Sequence, residues 1–476
     1  MRFSHFLGRI EIEGESASGS LRMNLSLVGT ASNPVIPSRK QVRLWKRLPV
    51  VTLICLGISI FGNEWAWGTI VPLLLSWISH GTPICLLLLF VFAYKVHLGG
   101  LPGRVRTGIY LCVTLYLMLL AVGILAWYDA SPSPWVYVSL VQAIVCGFIG
   151  CRIGQNGEAA YWTLKTIARL SALMSVYEFV TPELEANSSF PAIGIGWPVQ
   201  LFILFGFCWY VFCALKAQKL TLETILGIAA CMLEVFISFH KPLVFAGLGS
   251  IFVLVFVWQF GGQERGRGNL RLAVGIVLLA GAAIAAVSVT QGAILDEYRD
   301  EFFIKYLHMN PSDPGSVGVD EKTITKFSGG RFDLWQQGID LFWESPWVGS
   351  GLGHTFYAES SAQEVHAHNG YIELLYSLGV VGAILHLMPA WIWFRESILL
   401  PGLQRRMVIV GPIAAYIGGI LAFNMGGSTI IFFTLLSFIA LLMGIALGYS
   451  VSVNDSWEME PTKVMFVAGS PTGWAR

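Results

Sequence analysis

The chain is expected to be an all-α polytopic membrane protein, and three observations carry that expectation. Of its 476 residues, 55% are hydrophobic and only 12% are charged, half the share of about 25% usual in a soluble domain. Its mean hydropathy is +0.65. Its apolar residues come in runs long enough to cross a bilayer, which takes about 20 residues per helix. The formal net charge is +1, so there is no global basic field to attract nucleic acid, and no nucleic-acid partner is expected.

Residues 1–48 are polar, rich in Ser and Arg, and have no apolar centre. They do not read as a cleaved signal peptide and are taken as a cytoplasmic segment. Twelve spans follow, at roughly 49–66, 68–94, 107–127, 134–151, 158–180, 196–215, 221–239, 242–260, 271–290, 371–394, 407–424 and 428–450. Spans one to nine thus occupy 49–290, a large loop occupies 291–370, spans ten to twelve occupy 371–450, and 451–476 is a tail. With both termini inside, the inner segments hold 22 Lys and Arg against 6 in the outer ones, the asymmetry that the positive-inside rule requires. The chain then has an N-in, C-in layout with one large, partly helical outer loop between spans nine and ten.

The eight cysteines lie inside or at the edges of apolar runs, without a Cys-x-x-Cys pair. They read as small buried hydrophobes rather than redox or zinc ligands. Lys165 and Arg169 are four residues apart in the fifth span, and Glu234 lies in the seventh. Charges at that depth usually face the bundle interior, and the sequence leaves open whether they pair with each other's partners or bind a lipid diphosphate.

The loop 291–370 is far longer than an ordinary connection, and such loops are usually functional. It carries twelve acids and five bases, so a base there stands out. Leu295–Leu307 has apolar positions at helical spacing and reads as an amphipathic surface helix. Ser328-Gly-Gly-Arg331 opens a second helix, which is expected to end before Pro346. Then come Gly349-Ser-Gly-Leu-Gly353, which lacks the Lys-Ser/Thr of a phosphate-binding loop, and Glu364-Val-His366-Ala-His368-Asn369-Gly-Tyr-Ile-Glu373. A lone His-x-His is a weak metal signal, and no metal or other cofactor is expected. His368 and Asn369 stand where the loop meets the tenth span.

Taken in order, a helix opened by Arg331, Pro346-Trp-Val-Gly-Ser-Gly-Leu-Gly353, His368-Asn369-Gly-Tyr-Ile-Glu-Leu-Leu375 and Leu378-Gly-Val-Val-Gly382 resemble the signature of the O-antigen ligase-like superfamily over roughly residues 220–425. That superfamily holds O-antigen ligases, O-antigen polymerases and exopolysaccharide polymerases of the bacterial inner membrane. The resemblance implies a multi-pass glycosyltransferase whose site faces the periplasm. Its donor is a glycan on undecaprenyl diphosphate, and its acceptor is a hydroxyl of another glycan or of lipid A-core. It also implies roles: His368 as general base and Arg331 as a contact to the donor diphosphate. Where the family carries a second arginine in a Ser-Arg step, this chain reads Ser238-Phe-His240-Lys241. Lys241 supplies charge without a bidentate fork, which leaves open whether His240 shares the task. His366, Asn369 and Arg169 are further expected substrate contacts.

The chemistry explains the residue types. Transfer needs a hydroxyl made nucleophilic, and histidine, with an ordinary pKa of about 6.5, accepts a proton at neutral pH. It also needs a diphosphate leaving group stabilised by fixed cations. The alternative is a polysaccharide transporter or flippase without chemistry. Against it stand the lack of a half-to-half repeat and the concentration of polar signal in one loop. An acidic site in the first outer loops would have only Glu64 and Asp129 to work with.

Overall fold

The computed structural model describes residues 47–56, 87, 101–126, 134–180, 197–216, 221–237, 241–260, 331–351, 356–358, 363–365, 367–427 and 433–459. The expected span at 271–290, most of that at 68–94 and the amphipathic helix at 295–307 lie outside them. The helices are α1 (Arg47–Leu56), α2 (Gly103–Ala126), α3 (Pro134–Gly154), α4 (Gly157–Val180), α5 (Trp197–Lys216), α6 (Leu222–Ile237) and α7 (Lys241–Phe260). After them come α8 (Arg331–Glu344), α9 (Gly370–Phe394), α10 (Leu403–Phe423) and α11 (Phe433–Met459), with a π-helical turn at Arg395–Leu399 between α9 and α10. Five of the described helices are long and apolar enough to cross a membrane, namely Val199–Lys216, Pro242–Gln259, Gly370–Leu399, Leu403–Phe423 and Leu435–Val453. The protein is a polytopic α-helical membrane protein.

The expected loop helix forms as α8 and stops before Pro346, whose ring cannot continue it. The loop also holds a short antiparallel hairpin, β1 (Phe356–Ala358) with β2 (Gln363–Val365), in the register Phe356↔Val365. Strands of three residues are too short for sequence periodicity to reveal.

Helix α5 is the centre of the bundle and is buried along most of its length. Its Phe205 meets Tyr416 of α10 and Phe438 of α11, with ring centroids 5.8 and 6.0 Å away, and Tyr416 and Phe438 close the triangle at 5.7 Å. Edge-on aromatic packing of this kind adds about 0.5–1.5 kcal/mol per pair to simple burial.

Between helices in lipid the hydrophobic effect gives little, and close packing through small residues takes over. Helices α3 and α11 pack this way. Gly150 and Gly154 of α3 are four apart, as are Gly444 and Gly448 of α11. A Cβ at Gly150 would stand 3.0 Å from the Ile445 amide, and one at Gly448 would stand 3.0 Å from Cys151 Cα. Helices α7 and α10 repeat the device: a Cβ at Gly249 would meet Ala422, and one at Gly418 would meet Val253. Four residues onward on α7 is four residues back on α10, so the two helices run antiparallel and the first turn of α7 lies toward the Asn424 end of α10.

At the other end of α10, Arg406 is fully buried. Sequence placed it in a loop before a span at 407. Instead α10 begins at Leu403, and the guanidinium donates to the carbonyls of Glu396 (2.9 Å), Leu400 and Pro401 (3.0 Å). Those are carbonyls that a helix C-terminus leaves without partners, so the arginine closes the turn between α9 and α10.

Helix α9 is not continuous. Gly379 has φ 62° and ψ −175°, dividing it into 370–378 and 380–394.

The glycine contact between α3 and α11 should govern stability. Gly448→Leu places a side chain against backbone that cannot yield, so the penalty should exceed the about 1–3 kcal/mol of ordinary overpacking. Thermal unfolding in detergent should show a clear fall in Tm, while Gly103→Ala, where a Cβ meets open space, should leave Tm unchanged.

Candidate functional site

A break in a helix frees carbonyls before it and amides after it, and these groups need partners. Here the segment Ser345–Gly351 supplies partners for four of them. Ser350 and Gly351 amides donate to the carbonyls of Tyr376 (2.7 Å) and Ser377 (3.1 Å). Across the break, the Val380 and Val381 amides donate to Pro346 (2.8 Å) and Trp347 (3.2 Å). The two chains come so close that only glycine fits at the crossing. Gly349 (φ 73°) and Gly379 (φ 62°) are both left-handed, and a Cβ at either would run into the backbone of the other segment. The Pro346–Gly351 part of the motif is therefore a backbone clasp. The Gly349, Ser350 and Gly351 amides are engaged with carbonyls, which agrees with the lack of phosphate-loop character.

The same clasp ties α8 to α9. Gly338 lets α8 lie against Ile372 and Tyr376. Leu334, one turn after Arg331, packs in a small core with Ala367 and the fully buried Tyr376. The Tyr376 side chain also meets the Ala367 backbone by a hydrogen bond. Ala367 immediately precedes His368.

His368 is half-buried and has φ 52°, the one non-glycine residue with positive φ among the described residues. A conformation of that kind costs about 1–3 kcal/mol and persists where the surroundings over-determine it. The surroundings do so on both sides. Before it, Ala367 is buried; after it, Asn369 and Gly370 are bound to the turn that follows α10. The Gly370 amide is shared between the carbonyls of Asn424 (2.9 Å) and Gly427 (2.8 Å). The Tyr371 hydroxyl donates to Leu421 at 2.7 Å. Glu373, also in the first turn of α9, is a buried carboxylate at a helix N-terminus, where the helix dipole favours negative charge.

Asn369, expected as a substrate contact, caps α9. Its Oδ1 accepts from the Tyr371 (3.1 Å) and Ile372 (3.2 Å) amides, and its Nδ2 donates to Met425 at 3.3 Å. With Gly370, Tyr371 and Ile372 amides all engaged, this helix end has no free donors in its first three residues for an anion. Charge to meet a diphosphate must come from side chains.

Three of the residues selected from sequence stand at helix starts on one end of the bundle. Arg331 opens α8, Lys241 opens α7, and His368 stands two residues before α9. Helix α8 reaches the His368 turn through Leu334 and Ala367, and α7 is linked to it through its packing on α10. The side chains of Arg331 and Lys241 lie outside the described residues, as do His240 and His366. Arg169 does not join this group. It forms a two-pronged ion pair with Glu223, Nε to Oε1 at 2.9 Å and Nη2 to Oε2 at 3.2 Å. Glu223 is in the first turn of α6, while Lys241 follows the other end, about 20 Å of helical rise away. Glu234 is buried in α6.

Sequence reasoning missed the turn Asn424-Met-Gly-Gly427, which had been read only as the boundary between two spans. It also missed Gly379 as a break. The signal was present for the first, since Asn and Gly are turn formers.

Gly379→Ala should open the clasp, because alanine is strained at that backbone conformation and its Cβ meets Trp347. Hydrogen–deuterium exchange at the Ser350, Gly351, Val380 and Val381 amides should accelerate by at least about tenfold. Unchanged exchange at these four would mean that the clasp holds without the glycine.

No curated protein matches the chain. Residues 199–387, from the start of α5 into the second half of α9, match the family model for O-antigen ligase. The matched stretch, about two fifths of the chain, includes Lys241, Arg331 and His368, and over it the chain is similar to the O-antigen ligases.

Proposed function

We propose that the protein is an inverting, metal-independent glycosyltransferase. It moves a glycan from undecaprenyl diphosphate to a sugar hydroxyl, of a growing polysaccharide or of lipid A-core, at the periplasmic face of the inner membrane. The proposal includes the twelve-span, N-in and C-in layout, with 291–370 as the outer loop. The observation that supports it is a histidine held in a left-handed conformation two residues before α9, with the helix opened by Arg331 packed against the same turn.

In this reading the acceptor hydroxyl attacks the anomeric carbon from the face opposite the diphosphate. The new C–O bond forms as the old one breaks. The hydroxyl proton passes to the His368 imidazole, and the diphosphate leaves with the bonding electron pair. Arg331 and Lys241 offset the charge that grows on the leaving oxygen, a contribution larger in the transition state than in the ground state. The clasp at Gly379 and the turn at Asn424–Gly427 act as the frame that holds the histidine's backbone, which favours catalysis by fixing the base before substrate arrives.

An assay on purified protein with lipid-linked donor tests the assignment. His368→Ala should lower turnover by about 10²–10⁴-fold, the usual contribution of one general base. Lys241→Arg should keep most activity, and Lys241→Ala should weaken donor use and turnover together. Near-normal transfer by His368→Ala would remove the base assignment. The layout is tested by membrane-impermeant thiol labelling of single cysteines in a Cys-less background. Asp320→Cys should react from outside and Gly266→Cys only after permeabilisation; the reverse pattern would overturn the topology.

A further inference from the structure

Far from the His368 turn, a second charged cluster occupies the meeting point of α4, α5 and α6. Glu223 is bracketed by Arg169, which binds it with two nitrogens, and by Lys165 at 3.9 Å. Cys213, on α5, lies within electrostatic range of Lys165, Lys216 and Glu223 together. Two bases thus bracket one acid, and Lys216 stands nearby, beside Cys213. With Glu158 counted as well, three bases stand against two acids, which leaves the patch one net positive charge. It is open to its surroundings: the side chains of Lys165, Arg169 and Glu223 are 35%, 55% and 42% exposed.

The depth of the cluster follows from helix register. Ser175 Oγ donates to the Ala230 carbonyl at 2.6 Å, and Arg169 meets Glu223 at nearly the same offset, so the first turn of α6 stands level with residues three turns into α4. Lys216 ends α5 at the same side. The charges therefore stand where α6 begins and α5 ends, and the first turns of α4 extend beyond that level. In the layout proposed above, on which this inference rests, that side is cytoplasmic.

The surroundings have the chemistry of a lipid. Trp162, Lys165, Arg169 and Leu173 follow one another at three- and four-residue steps, so they share a face of α4. Trp162 (47% exposed) stands at the helix start, the level at which aromatic residues collect in membranes. Leu173 (65%) and Val176 (50%) continue the strip on the apolar side. A head-group level with surplus cations is thus followed by an apolar track.

We propose that this strip binds an anionic phospholipid of the cytoplasmic leaflet, its phosphate held by Lys165, Arg169 and Lys216 and an acyl chain laid along Leu173 and Val176. Glu223 orients the arginine and lysine and keeps the site from being saturated by any diffusible anion. Each base near a charged surface contributes about fivefold to such binding.

The test uses the full chain in nanodiscs of equal phosphatidylglycerol and phosphatidylcholine, with retained lipids identified by native mass spectrometry. The wild type should retain phosphatidylglycerol preferentially. The double variant Lys165→Gln/Lys216→Gln leaves the Arg169–Glu223 pair intact, so it should fold, and its preference should drop by more than tenfold. Glu223→Gln should raise the preference, and Arg104→Gln, a base on α2 outside the patch, should leave it unchanged. Equal retention of the two lipids by the wild type would overturn the proposal, as would a double variant with undiminished preference. Undecaprenyl diphosphate added in excess should not displace phosphatidylglycerol; displacement would assign the patch to the donor and overturn it as well. The lipid measurement needs no transfer activity. A preference that survives in a protein inactive toward lipid-linked donors supports the lipid site while removing the transferase reading. A preference that survives with thiol labelling reversed would place the strip in the other leaflet and overturn the leaflet assignment.

Discussion

The structure around the candidate site depends on the need to satisfy backbone polar groups at the Gly379 break. In a bilayer a carbonyl or amide without a partner costs several kcal/mol, and an irregular backbone survives only where protein covers it. Ser345–Gly351 is that cover: four hydrogen bonds join it to the two sides of the break. The consequence runs outward from there. Because the clasp holds the end of α8 against the middle of α9, α8 lies along the first half of α9 with Leu334 on Ala367. The residue after Ala367 is then delivered in a conformation that a histidine would not choose by itself.

The second anchor works from the opposite side. Asn369 and Gly370 are bonded to the turn 424–427, and Tyr371 to Leu421, so α10 and α9 share one junction at the His368 end. Because α10 is also in glycine-mediated contact with α7, the helix opened by Lys241 is tied to the same junction. Helix-end amides there are already bonded, so in the proposed reaction the anionic leaving group is met by cationic side chains. This links the packing of small residues in the bundle to the chemistry proposed at its end.

Much of this was legible in the sequence. Spans expected at 134–151, 158–180, 196–215 and 371–394 correspond to helices Pro134–Gly154, Gly157–Val180, Trp197–Lys216 and Gly370–Phe394, because polar or Gly/Pro residues bound each apolar run. The helix from Arg331 to Pro346 was legible because proline punctuates it. Arg406 was misplaced because a charge reads as loop, whereas here its guanidinium meets helix-end carbonyls within the bundle. The tail end of α11 extended to Met459 rather than 450, since polar residues outside an apolar run can still continue a helix. Gly379 was hidden because a left-handed glycine and a helical glycine look alike within Leu-Gly-Val-Val-Gly. The cap that Asn369 makes is local, to amides two and three residues on, but the contribution of Asn424–Gly427 depends on contacts between segments more than fifty residues apart, which a single sequence does not display.

The central claim is that the imidazole held at this junction is the proton acceptor, and the dependence of kcat on pH tests it most directly. A histidine base works in its neutral form, so the rate of the wild type should fall on the acid side through a single ionisation. The residual transfer of His368→Ala should have lost that acid limb and run flat across it. An acid limb that persists unchanged in His368→Ala would contradict the account, since the ionisation would then belong to another group.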